Sequence, residues 1–240
     1  MQDLATKTIR EIALEAPAAT RVFEKFKIDY CCGGNRSLAD ACAAAGIDSS
    51  QLLDSIDQEM MAQDFRSRPT QPEDLKPTDL VGYIVATHHV FTTEELGRLT
   101  PLMAKVVMRH GELHPELFEL QKVFTALTES LIPHMRKEEN VLFPYIEELE
   151  RAARMNLSPP MPHFGTVQNP IRMMMVEHDV DGDRLRTMRS LTSDYTLPEG
   201  ACPTFTALYA GLEDLERDLH RHIHLENNVL FPAASELEGK

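Results

Sequence analysis

The chain has 240 residues, 42% of them hydrophobic, and 38 acidic against 24 basic side chains, a formal net charge of −14. Such an acidic chain repels phosphate backbones and anionic lipid, which argues against nucleic acid and membrane as partners, and no apolar run approaches the roughly 18 residues a membrane span needs. The opening ten residues lack the basic and apolar regions of a signal peptide, so a cytoplasmic location is expected, and the four cysteines (Cys31, Cys32, Cys42, Cys202) are not read as a disulfide framework.

Residues 1–66 read as short helices forming a small domain. Ile9, Ile12, Ala13 and Ala16 share one face of a helix over Thr6–Ala16. Pro17 opens a second helix carrying Val22, Phe23 and Phe26. Asp29-Tyr30-Cys31-Cys32-Gly33-Gly34 then breaks the pattern. Ser37 caps a third helix that Gly46 ends, and Ser49 or Ser50 caps a fourth with Leu52, Leu53, Ile56 and Met60 inward. So small a unit buries little apolar surface alone and is expected to lean on a partner or on the larger domain.

Three prolines between Ser67 and Pro77 mark residues 67–77 as a linker. Residues 78–240 then form an all-α, four-helix bundle. Its first helix starts at Thr78 or Asp79, is kinked by Pro101 and is stopped by Gly111. A second runs from Pro115 to about Arg154, with Pro133 and Pro144 bending it. A Pro- and Gly-containing link over 156–169 leads to a third helix opened by Pro170. The loop 194–203 precedes a fourth helix, which Pro232 bends or ends.

The bundle sequence is duplicated. His134-x-x-x-Glu138-x-Asn140-Val-Leu-Phe-Pro144 returns as His222-x-x-x-Glu226-x-Asn228-Val-Leu-Phe-Pro232. Residues four apart share one helix face, so each copy aims an imidazole and a carboxylate the same way. Each is preceded by a helix with a further histidine, His88 or His178. From His88 to His110 is about 33 Å of helix, and from Pro115 to His134 about 29 Å back, so an antiparallel hairpin returns His134 to the level of His88. Imidazole with carboxylate suits iron, manganese or zinc. Glu138 and Glu226, from different helices, can each bridge two ions about 3.5–4 Å apart, leaving open positions for oxygen, nitric oxide or peroxide.

His88, His134, Glu138, His178, His222 and Glu226 are therefore the candidate metal ligands, with His89 the alternative register to His88. A single-zinc site and a ferritin-like site fit less well, the latter because it uses Glu-x-x-His. Glu177 and Glu139 adjoin ligands and are read either as carboxylates supporting them or as solvated groups. His220 and His224 fall on another face, in surface or supporting roles. Met173, Met174 and Met175 are read as core filling, and the repeated Val-Leu-Phe-Pro as packing beside the site. A bridge between the neighbours Cys31 and Cys32 would be strained, so the pair is read as redox or metal-handling thiols, or as two free cysteines at a turn. Cys42 and Cys202 look structural.

The Asp29-Tyr-Cys-Cys-Gly-Gly34 motif, the linker and the doubled His-x-x-x-Glu together resemble the repair-of-iron-centres family of the YtfE/ScdA/DnrN type, over essentially the whole chain. The resemblance implies a ScdA-like N-terminal domain carrying the cysteine pair. It also implies a hemerythrin-like bundle holding two non-haem Fe ions, an oxo- and carboxylate-bridged centre on the six residues above. The implied function is repair of iron–sulfur clusters damaged by nitrosative or oxidative stress, with iron supplied from a labile centre. Implied partners are damaged iron–sulfur proteins or a cluster-assembly scaffold. Nitric oxide reduction, or binding and sensing of oxygen or nitric oxide, is the alternative activity, and a homodimer is compatible with the small first domain. The run His89-Val-Phe-Thr-Thr is less polar than the family pattern leads one to expect.

Overall fold

Helix α1 (Ile9–Glu15) starts on a capping box: the Glu11 amide donates to Thr8 Oγ1 and the Glu11 carboxylate accepts from the Thr8 amide. The computed structural model describes residues 4–16, 18–30, 34–64, 71–159 and 161–239. Pro17, Cys31 and Cys32, with the expectations attached to them, lie outside the described residues, as does most of the first half of the linker. Among the described residues there is no β-strand, only an isolated bridge between Thr8 and Ser37.

The chain divides into two compact units, residues 1–80 with 220–233, and residues 81–219 with 234–240. In the first unit, α1, α2 (Ala19–Lys25), α3 (Leu38–Ala45) and α4 (Ser49–Asp64) surround a small core. Ile9, Ile12, Phe23, Tyr30, Leu38, Leu52 and Ile56 are all at or near zero exposure in it. As expected, Ser37 Oγ accepts from the Asp40 amide to start α3, and Gly46 ends it in the left-handed region at φ 68°. The start of α4 differs: the Asp48 carboxylate, rather than Ser49 or Ser50, accepts from the Ser50 and Gln51 amides. A hydrogen bond from the Ser50 hydroxyl, together with those two amide bonds, holds its carboxyl below the usual aspartate range. Gly34 answers a close approach: a Cβ there would lie 2.6 Å from the Tyr30 carbonyl oxygen, while the Gly34 carbonyl accepts from Arg10 at 2.7 Å.

The bundle draws on both groupings, residues 77–80 and 220–233 being counted with the first unit. Its helices are α5 (Pro77–Ile84) running through a π turn (Val85–His89) into α6 (Val90–His110), and α7 (Glu116–Lys137) running through a π turn (Glu138–Leu142) into α8 (Phe143–Arg154). They are followed by α9 (Gln168–Leu191) and α10 (Pro203–Leu225), the latter continued by a π turn (Glu226–Leu230) and α11 (Phe231–Glu238). Leu96, Leu99, Leu127, Leu131, Leu185, Leu208, Leu212, Leu215 and Leu219 form one apolar core. Pro101 and Pro133 lie inside α6 and α7, which continue past them. Gly111 ends α6, as expected, with right-handed φ of −61°; a Cβ there would meet the Val107 carbonyl at 2.6 Å and the Phe118 ring at 2.8 Å. Of the methionine run only Met174 fills the core, while Met173 and Met175 are exposed. No described helix is long and apolar enough to cross a membrane.

Candidate metal centre

Three π turns occur among the described residues, and each carries one of His89, Glu138 and Glu226. The Val90 amide reaches back five residues to the Val85 carbonyl, Phe143 to Glu138, and Phe231 to Glu226. Pro144 and Pro232 follow the last two directly. A proline cannot donate to the carbonyl four residues back and its ring crowds that carbonyl, so a widened turn relieves the clash.

The first π turn decides between the two adjacent histidines. Counted forward from buried Ile84, a spacing of four lands on His88; counted back from Thr92 and Leu96, spacings of three and seven land on His89. The inserted residue separates these faces. His88 is buried, its Nδ1 2.9 Å from Asp218 Oδ1. His89 presents Nε2 3.5 Å from the Glu138 carboxylate, and its ring stacks on Phe143. Of the two adjacent histidines it is His89, and not the expected His88, that the structure groups with Glu138.

Glu138 is fully buried, and neither of its oxygens accepts a hydrogen bond. Instead His134 Nε2 faces it at 3.2 Å and His89 Nε2 at 3.5 Å. A carboxylate buried with no donor is costly unless a cation meets it. His178 Nε2 and His134 Nε2 are 3.0 Å apart. Two nitrogens each about 2.1 Å from one ion, at a right angle, would be about 3.0 Å apart. His222 Nε2 is 3.0 Å from Glu226 Oε1.

Two groups of metal-competent side chains result. One is His134, Glu138, His178 and Glu226; the other is His89, Glu138, His222 and Glu226, and within each the ligand atoms lie within 4.8 Å of one another. All the members are buried and both carboxylates are shared. The donor set, nitrogen and carboxylate oxygen around two foci, fits a pair of iron ions.

Carboxylates behind the imidazoles fix their tautomers. His134 Nδ1 lies 2.7 Å from Glu177 Oε2, and His89 Nδ1 lies 2.7 Å from Glu139 Oε1. A proton held at Nδ1 leaves the Nε2 lone pair free to bind a cation. Glu177 also takes an ion pair from Lys137; those bonds outweigh its partial burial and hold its carboxyl below the ordinary glutamate range. The second copy's flank is built differently. His224 is fully buried rather than a surface group; Asn228 Nδ2 donates to its Nδ1 at 2.9 Å, and the Tyr30 ring packs on it edge-on. Burial pushes the His224 pKa down to about 3. His220 also packs against Tyr30.

Residues 82–234 match the hemerythrin HHE cation-binding domain family. Residues 5–59 match ScdA_N, a domain of unknown function (DUF542). The iron–sulfur cluster repair protein YtfE of Yersinia pseudotuberculosis (serotype IB, strain PB1/+) is 34% identical over 235 residues, covering 97% of this chain and 98% of that protein. The protein of the same name from Yersinia pestis (strain Pestoides F) matches to the same extent. The chain belongs to the YtfE family of hemerythrin-like proteins. In this YtfE-family chain the hemerythrin-like segment contains all six cluster residues, and the ScdA_N segment includes Tyr30, which packs on His224.

Proposed function

We propose that this protein holds two non-haem irons on His89, His134, Glu138, His178, His222 and Glu226, and that it repairs damaged iron–sulfur clusters by giving up that iron. The observation that carries the reading is the pair of His₂Glu₂ groups sharing Glu138 and Glu226. Shared carboxylates are what a bridged pair of ions needs, and four imidazoles with two bridging carboxylates leave each ion short of six ligands. An open position is where a small molecule enters, and an incompletely wrapped ion is one that a competing ligand can remove. The protein relatives named for iron–sulfur cluster repair support the same use.

The surrounding side chains have defined tasks in this reading. Glu177 and Glu139 keep protons on Nδ1 of His134 and His89, Lys137 tethers Glu177, and Phe143 covers one face of His89. The domain limits fit a cysteine-pair domain over 1–66, a linker over 67–77 and a metal bundle over 78–240. The Cys31–Cys32 pair follows Tyr30 directly and is a candidate thiol pair for handing iron to a recipient iron–sulfur protein or assembly scaffold. A cytoplasmic setting and a homodimer complete the proposal.

The test mixes iron-loaded protein with an iron–sulfur enzyme stripped of its cluster and a cysteine-derived sulfide source. Recovery faster than with the same iron added free is expected. Recovery no better than free iron, or less than about one iron per chain in freshly purified protein, overturns the reading. Anaerobic turnover of nitric oxide to nitrous oxide beyond one event per site would favour the reductase alternative.

A further inference from the structure

Thr92 is completely buried in the bundle, and its hydroxyl has no hydrogen-bond partner. That is unusual in this protein. Helical Thr100, Thr125, Thr128 and Thr187, and Thr192 just past the end of α9, all donate to the carbonyl four residues back, at 2.7 to 2.9 Å. Thr92 has the same option in the His88 carbonyl and does not use it. An unsatisfied buried hydroxyl costs on the order of 1–3 kcal/mol, so something normally meets it.

Its place narrows what that is. Thr92 lies three residues after His89, within one turn and on an adjoining face, and Leu96 follows it into the apolar core. Helix α9 carries a matching feature: four residues after His178, one turn further along the same face, is Gly182, also buried. Glycine inside a helix is about 1 kcal/mol less favourable than alanine, so a buried one signals a need for space. Two helices thus each place, one turn beyond a cluster histidine, either an unused donor or a missing side chain.

We infer that the Thr92 hydroxyl donates a hydrogen bond to a small ligand with an acceptor atom, of the size of azide or a diatomic, bound at the iron pair in space that Gly182 leaves open. This rests on the proposed iron pair, and the experiment separates the two.

Iron-loaded, oxidised protein is titrated with sodium azide, following the visible charge-transfer band and the infrared azide stretch. Thr92→Val keeps the shape and removes the hydroxyl; Thr92→Ser restores it. Azide is expected to bind about tenfold or more weakly to Thr92→Val with iron content unchanged, with the stretch shifted, and both effects reversed in Thr92→Ser. Gly182→Ala is expected to weaken azide through its added methyl. Equal azide affinity and stretch in wild type and Thr92→Val, at equal iron content, overturns the inference while leaving the iron pair standing. So does loss of iron from Thr92→Val alone, which would make Thr92 a support for the metal rather than for its ligand. Wild type without iron fails the underlying reading instead. A readout independent of iron is the metal-free Tm, expected to rise in Thr92→Val, since the orphaned hydroxyl is gone; a fall would also count against the inference.

Discussion

The two copies of His-x-x-x-Glu-x-Asn-Val-Leu-Phe-Pro fold into the same backbone, a helix opened by one π turn at its glutamate, yet their surroundings differ. In the first copy Glu139 is part-exposed and Asn140 exposed, and charged groups do the supporting: Glu139 on His89, Glu177 and Lys137 on His134. In the second, Asn227 and Asn228 are buried and the neighbouring contacts are neutral: Asn228 donates to His224, and His224 lies under Tyr30. A repeated motif therefore fixes the ligand geometry through its own backbone. What lies behind the ligands is decided by what else packs there, partly exposed charged side chains in one case and Tyr30 in the other.

The strongest way to break the symmetry is at the ligands. His89→Gln is expected to lower bound iron from about two per chain to about one or fewer, while His88→Gln leaves it unchanged, checked by metal analysis of freshly purified protein. Equal retention in both variants would put the register of the first π turn in doubt. Next in size is Tyr30→Ala, which empties the cover of the second copy only. Truncating a fully buried aromatic should cost about 3 kcal/mol in denaturant unfolding, whereas Tyr30→Phe, losing only the hydroxyl bond to Glu24, should cost about 1 kcal/mol.

The first copy's charged support is probed by Glu177→Gln, for which roughly 10- to 100-fold weaker iron retention against a chelator is expected, with little change in metal-free stability. The smallest effect lies far from both copies. Thr8→Ala removes the α1 capping box and should cost about 1 kcal/mol, with no change in iron content.

Much of this arrangement was legible in the sequence because it depends on spacing. Of the six grouped residues, His178 comes from the helix preceding the second copy, and four, His134, Glu138, His222 and Glu226, follow from the repeated motif, since i, i+4 pairs on long helices point the same way whatever surrounds them. His89 did not, because a π turn inserts a residue that no periodic count registers; the nearest signal was the conflict between Ile84 counted forward and Leu96 counted back. The α4 cap was missed for a similar local reason: Asp48, Ser49 and Ser50 are all good caps, and only the backbone shows which carboxylate or hydroxyl the amides choose. Glu177 and Glu139 could be named as neighbours of ligands, but their bonds to imidazoles depend on helix rotation. Thr92 carried no signal, because an unpartnered hydroxyl is visible only once every other donor and acceptor has been placed.

The reversal at Gly111 has a consequence for tolerance to change. With the Phe118 ring and the Val107 carbonyl closed around it, that corner admits no side chain, so α6 and α7 cannot slide along each other to absorb an inserted residue. Each residue added to the end of α6 or the start of α7 would carry the second helix of the hairpin about 1.5 Å along its axis. Within two insertions His134 would be out of reach of its partners, so length variation should be far better borne between Asn156 and Thr166 than at this corner.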